Sequence, residues 1–256
     1  MKNYKKYIFL VLPLLFLCSC DKGFEELNKN PFQSTQTDIG PLFNTCVSSL
    51  RLNWSEQFYL HNETLYAITQ QAALTAITFQ NISIGTEEIW GNYYRTLAHF
   101  REIETRFEAI EGDQVAFNNA RAMVKILLAY KTFRLTDFFG DIPFFDAGRG
   151  FEDIDLARPE FDTQEDIYLF LLDELKWAVE NINTLPNPTT ASGTPYYDLG
   201  NFDTFLNGDV NKWIKFANSL RLRHAVRMYD KAPQEATVII TDIMDNNLPL
   251  VLEKDR

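Results

Sequence analysis

The stretch Ala120-Arg121-Ala122-Met123-Val124-Lys125-Ile126-Leu127-Leu128-Ala129-Tyr130 decides the fold class. Only Arg121 and Lys125 interrupt its apolar character, and they lie one turn apart, so a helix built from it is apolar on nearly every side. A helix like that is stable only between other elements. Its neighbours in sequence extend it over residues 115–139. Gly140 supplies the left-handed residue of a C-cap there, and Pro143 prevents the helix from resuming. A chain organised around such a helix is predicted to be mainly α.

Upstream, Ile89, Tyr93, Leu97, Phe100, Ile103, Phe107 and Ile110 recur at helical spacing. They predict a helix capped by Thr86, with Glu87 and Glu88 favourable at its positive end and Gly112-Asp113 at its close. Phe79-Gln80-Asn81-Ile82-Ser83-Ile84-Gly85 breaks the pattern. Residues 62–78 carry another helix, with Leu65, Ile68, Ala72 and Ala76 on one face, and Asp38 caps a first helix that begins near Pro41 and turns Leu42, Cys46 and Leu50 inward. Downstream, residues 144–161 read as irregular. A capping box from Thr163 to Asp166 then opens a helix with Ile167, Leu171, Leu175, Ala178 and Ile182 facing in. Residues 185–209 form the longest loop, rich in Pro and Gly and holding Tyr196, Tyr197, Phe202 and Phe205; loops of this length in compact proteins are usually functional. Trp213, Ala217, Leu220, His224 and Met228 mark a helix over residues 210–230. Pro233 opens a last one, holding Val238, Ile239, Ile243 and Met244, and residues 248–252 read as a strand. The helices pair along the chain, as in helical-repeat folds, but with no clean period of about 34 residues and no intact tetratricopeptide consensus, so any repeat is degenerate.

The N-terminus reads as a lipoprotein signal. Lys2, Lys5 and Lys6 precede an apolar run from Ile8 to Leu17, and Ser19 is the small residue before Cys20. The run is about half the ~20 residues a spanning helix needs. Residues 1–19 are therefore expected to be removed, Cys20 to carry the lipid anchor, residues 20–37 to act as a tether and residues 38–256 to form the helical domain. Several acyl chains on one cysteine make a lasting anchor.

The chain of 256 residues has 24 basic and 35 acidic side chains. Without the three signal lysines, 21 basic groups remain and the formal charge is −14, which excludes nucleic acid as a natural partner because binding it depends on neutralising phosphates. A strongly anionic ligand is disfavoured too, unless a local basic patch exists. Once Cys18 leaves with the signal and Cys20 is lipidated, Cys46 alone remains, so no intramolecular disulfide is expected.

Three stretches together resemble the SusD/RagB-like nutrient-binding lipoproteins. They are Leu135-Thr136-Asp137-Phe138-Phe139-Gly140-Asp141-Ile142-Pro143, the run Gly208-Asp209-Val210-Asn211-Lys212-Trp213-Ile214-Lys215-Phe216-Ala217-Asn218-Ser219-Leu220-Arg221-Leu222-Arg223, and the start Cys20-Asp21-Lys22-Gly23-Phe24-Glu25-Glu26-Leu27-Asn28-Lys29-Asn30-Pro31. The resemblance implies a mainly α fold of degenerate tetratricopeptide-like helix pairs, an α-α superhelix, with irregular loops that handle ligand. It implies a glycan or, for some relatives, a peptide as cargo, with no chemistry done on it and no cofactor. It implies a TonB-dependent, SusC-like transporter barrel as partner and lipid anchoring to the outer membrane, facing the exterior. Asp21 would favour the inner membrane under the sorting rule of enteric bacteria, but family members often carry acidic residues there. The length resembles the N-terminal half of such a protein.

Aromatic faces pack on the apolar side of sugar rings. Trp90, Asn92, Tyr93 and Tyr94, next to the break at Phe79, Gln80 and Asn81, offer such a mixture at an expected helix start, and Tyr196 and Tyr197 offer a second in the long loop; core packing is the plainer role for each. Asn218 and Arg221 read as a structural polar network on one helix stripe. His61, His99 and His224 lack metal-ligand spacing, and Glu152-Asp153-Ile154-Asp155 lacks the glycine and distal glutamate of a calcium loop. A surface glycoside hydrolase would need two carboxylates ~5 to 9.5 Å apart, and the sequence nominates no pair. A helical-repeat adaptor is the third alternative.

Overall fold

The computed structural model describes residues 38–73 and 79–252, with the side chains of residues 79–81 outside that description. The expected signal, the tether and Cys20 also lie outside the described residues. Among the described residues six α-helices of more than one turn run in order: α1 (Ile39–Ser48), α2 (Phe79–Glu108), α3 (Asn118–Phe139), α4 (Gln164–Asn181), α5 (Val210–Met228) and α6 (Pro233–Asp245). A π-helical segment, Glu56–Leu65, leads into a single α-turn, Tyr66–Ile68. Among the described residues there is no strand, only the isolated bridges Ile142 to Asp162 and Thr189 to Pro195. The fold is mainly α, built of helix pairs.

α3 occupies the place its composition demands. It packs against α1, α2, α4 and α5, and Ala122, Met123, Val124, Ile126, Leu127, Leu128, Phe133 and Leu135 are all buried. Each other helix packs on the next in sequence: α1 on α2, α4 on α5, α5 on α6. Lys131, buried on α3, donates to the Ser49 carbonyl at 2.8 Å, just past the end of α1. Burial, and secondarily Arg134, lowers its pKa to about 8. Cys46 is buried beneath the same contact, and burial pushes its thiol up to about 12.

Several local expectations need correction. The helix expected over residues 62–78 begins earlier and ends sooner. Asn53 Oδ1 accepts the Glu56 N–H at 2.7 Å and starts the π-helical segment, while Gln70, at φ 59°, ends the following turn. Residues 79–85 are no break, because α2 runs unbroken through them. Gly85 is instead a point of close approach: a Cβ there would lie 2.6 Å from Leu60 Cβ on the π-helical segment. Thr86 caps nothing, since its hydroxyl donates to the Ile82 carbonyl one turn back, inside the helix. Gly140 has positive φ (74°), but with ψ −124° it lies outside the left-handed helical well. Residues 248–252 are not a strand. Asn247, at φ 49°, closes α6, and the segment lies on α5 through side chains: Asn218 donates to the Pro249 carbonyl and the Val251 N–H to Ser219 Oγ.

Other expectations hold. Asp38 caps α1, Thr163 caps α4 by accepting the Asp166 N–H, and Pro233 opens α6. The inward stripe of α5, Trp213, Ala217, Leu220, His224 and Met228, is buried throughout.

Candidate ligand-binding site

The irregular segment after α3 is fixed to α2 by one guanidinium. Arg101, buried on α2, donates to the carbonyls of Phe144 (2.6 Å) and Ala147 (3.2 Å) and pairs with Glu104. Asp162 closes the base of the segment by accepting the N–H groups of Phe144 and Phe145. The Tyr94 hydroxyl donates to the Pro143 carbonyl at 2.9 Å. Burial foremost raises the Tyr94 phenol above its usual pKa, with Tyr93 and Asp162 adding to it.

The packing of α3 on α2 sets Phe139 beside Trp90, and the anchored segment brings Phe161 to it. The Trp90 ring lies 4.9 Å from Tyr94, 5.1 Å from Phe139 and 6.4 Å from Phe161, with Phe161 inclined by only 30°. Phe161 is 66 % exposed and Phe139 36 %. Trp90 is half-buried, so the three rings form an exposed aromatic surface with Trp90 as its floor.

Asn92 does not join them. Two residues along a helix is about 200° of rotation, and Asn92 accepts from Arg95 and faces a small pocket with Glu56, Lys131 and Arg134. Trp90 and Asn92 also lie well inside α2 rather than at its start. Phe79, Gln80 and Asn81 lie in the first turn of the same helix, and their side chains are outside the described residues.

The tyrosines of the long loop behave differently from each other. The Tyr197 ring stacks on Phe117 (5.3 Å, 25°), and its hydroxyl donates to Asp38 at 3.1 Å. Burial, followed by Asp38, raises its pKa to about 12. One face of Tyr197 is therefore committed to packing. Tyr196 lines a cleft of about 410 Å³ with Asn119, Asn187, Pro188 and Asp198. Phe117 precedes α3 and Phe139 ends it, so the two aromatic groups sit roughly 30 Å apart at 1.5 Å per residue. A small ligand cannot touch both.

Asn218 and Arg221 meet at the junction of α5 and α6. Arg221 donates to Asn218 Oδ1 at 3.1 Å and to Asp242 at 2.7 Å. Asp242 is held below the usual carboxylate range by that hydrogen bond. Among the described residues no group of His, Cys, Asp and Glu side chains is placed to hold a metal ion, and no helix is long and apolar enough to cross a membrane.

Residues 31–256 match the SusD-like_2 family, described as starch-binding associating with outer membrane. The chain belongs to the SusD-like family. Solved structures carry the same fold. A SusD homolog from Parabacteroides distasonis is 23% identical with a TM-score of 0.68, over 84% of this chain and 40% of that one. A chitin-binding SusD homolog from Flavobacterium johnsoniae is 22% identical with a TM-score of 0.59, over 85% and 44%. A SusD/RagB family protein from Bacteroides thetaiotaomicron is 21% identical with a TM-score of 0.58, over 86% and 44%. The SusD-like chain thus spans about two fifths of the length of these relatives. No protein of curated function matches it.

Sequence reasoning about this SusD-like chain missed Phe139, at the end of α3, and Phe161, in the irregular segment before α4, as partners of Trp90. It also missed the stacked pair Trp54 and Phe58 (5.0 Å, 5°), in which Trp54 is 69 % exposed. Asp203 is a third omission. This buried carboxylate accepts from the backbone N–H groups of Phe205, Leu206 and Gly208 and from Trp213 Nε1, and so holds the end of the long loop on α5.

Proposed function

We propose that this SusD-like chain is a cell-surface lipoprotein, anchored to the outer membrane through acylated Cys20 with residues 20–37 as tether. In this reading it binds a glycan and passes it to a TonB-dependent, SusC-like transporter barrel, with no chemistry on the cargo. The observation that carries the binding site is the exposed surface of Trp90, Phe139 and Phe161. Flat rings at fixed angles present apolar area to sugar C–H faces without an entropy cost of ordering. Family membership supports glycan as the ligand class.

The test is titration of the full chain with neutral oligosaccharides, among them maltoheptaose and chitohexaose, with product analysis alongside. Binding without cleavage is expected, weakened roughly tenfold or more by Trp90→Ala, the loss typical of an aromatic anchor. Unchanged affinity in Trp90→Ala, with loss in Tyr196→Ala, would move the site to the long-loop cleft. Release of new reducing ends would replace the binding reading with a glycoside hydrolase. Palmitate incorporation that survives Cys20→Ala would sink the anchor, and a chain resistant to proteinase on intact cells would sink surface display.

A further inference from the structure

The last turn of α3 presents a second phenylalanine to a different surface. Phe138, 40 % exposed, lines a cleft of about 400 Å³ between α3 and α5. Tyr130, Arg134 and Asp137 join it from α3, and Leu220, Arg223, His224 and Arg227 face them from α5. Both sets follow helical spacing, so the cleft is the gap between two rigid, packed helices, which is the kind of wall that holds a binding geometry.

Its charge runs against that of the whole molecule. In a chain of formal charge −11, three guanidinium groups and one carboxylate line this cleft. Arg134 is engaged by Glu56 and Arg227 by Asp137 at 2.8 Å. Arg223 is exposed and has no ion-pair partner among the described residues. His224 adds no charge, because burial, together with Arg223 and Arg227, keeps it neutral. Arg134 and Arg227 are each paired with a carboxylate, so Arg223 is the uncompensated charge of the cleft, and an anion beside it balances that charge. A planar carboxylate matches the guanidinium fork, and Tyr130 and Phe138 supply apolar area for a sugar ring.

We infer that the cleft between α3 and α5 binds the carboxylate of an acidic sugar, with Arg223 as its principal contact and Arg227 and Arg134 beside it. The inference rests on the glycan-binding reading and narrows it to uronate-bearing glycans. Phe138 and Phe139 are consecutive in the last turn of α3 and point about 100° apart around it, so the cleft and the Trp90 surface are separate faces of one helix end. A locally basic cleft on an acidic protein also makes this binding salt-sensitive.

Titration of the full chain with tetragalacturonate and with its methyl ester tests this. The acid is expected to bind about tenfold or more tightly than the ester, the worth of a charge-assisted hydrogen bond. Arg223→Gln should remove that preference while leaving the melting temperature unchanged, because the side chain is exposed and unpaired. Lys212→Gln, exposed on the first turn of α5, should leave the preference intact. Equal affinity for acid and ester, or an acid preference that survives Arg223→Gln, would overturn the inference. If neutral glycan still binds through Trp90 in that case, the proposed function stands. Failure of every oligosaccharide to bind would overturn both.

Discussion

Replacing Asp203 by Asn changes one atom in a side chain that is 2 % exposed. Oδ1 accepts the N–H groups of Phe205 and Leu206, each at 3.0 Å, and Oδ2 accepts those of Gly208 and Trp213 Nε1, each at 2.8 Å. An amide has one oxygen and one NH₂, so whichever way Asn turns, two donors meet a donor. Hydrogen bonds to a charged group contribute about 1.5–3 kcal/mol each, so two lost bonds set a ceiling of roughly 3–6 kcal/mol. Relaxation of the loop and entry of water bring the expected cost to about 3 kcal/mol. For a fold of this size that lowers the melting temperature by roughly 6–12 °C. Urea and thermal unfolding followed by circular dichroism measure it. Asp209→Asn is the internal control. Asp209 only caps α5, accepting from Asn211 and Lys212, and Asn caps about as well as Asp, so the change should stay within about 0.5 kcal/mol. A cost below about 1 kcal/mol for Asp203→Asn, or equal costs for the two variants, would refute the account of Asp203 as the clamp between loop and helix.

Two further outcomes follow from single residues. His224 lies against Phe133 with ring centroids 3.7 Å apart, and burial foremost holds its pKa down to about 3. The unfolded chain takes up that proton near pH 6.5, so between about 6.5 and 3 the unfolded state binds more protons and stability falls as pH falls, by up to about 1.4 kcal/mol per pH unit. His224→Leu should flatten that part of the stability curve; a curve parallel to wild type would contradict it. Gly208 has φ 70°, and a Cβ there would lie 2.7 Å from Gly200 Cα, whereas Gly193, at φ 85°, has nothing within 4 Å. Gly208→Ala should therefore cost about 2–3 kcal/mol and Gly193→Ala about 1 kcal/mol, measured by the same unfolding assays.

The candidate site was legible only in part. Trp90 could be nominated because an aromatic beside polar residues is a visible composition. Its partners could not, because Phe139 meets it through the packing of α3 on α2, and Phe161 through the anchoring of residues 144–162 by Arg101 and Asp162. Tyr196 and Tyr197 look equivalent in sequence, yet Phe117 and Asp38 take one of them into packing. The three arginines of the cleft come from two helices separated by α4 in the chain, and no local spacing connects them.

The sequence by itself determined the α class, the central place of α3, the caps at Asp38 and Thr163, the inward stripe of α5 and the family. All of these depend on periodicity, end chemistry or motif order within one segment, where a residue's neighbours are its own near residues. Tertiary structure alone decided where α2 begins, what becomes of residues 248–252, and which aromatic and charged groups share a surface. Gly85 reads as a helix breaker from its own backbone preference, but the space it leaves for Leu60 outweighs a cost of about 1 kcal/mol for glycine in a helix. Residues 248–252 have the apolar character of a strand, but a strand needs an edge to pair with, and α5 offers only side chains.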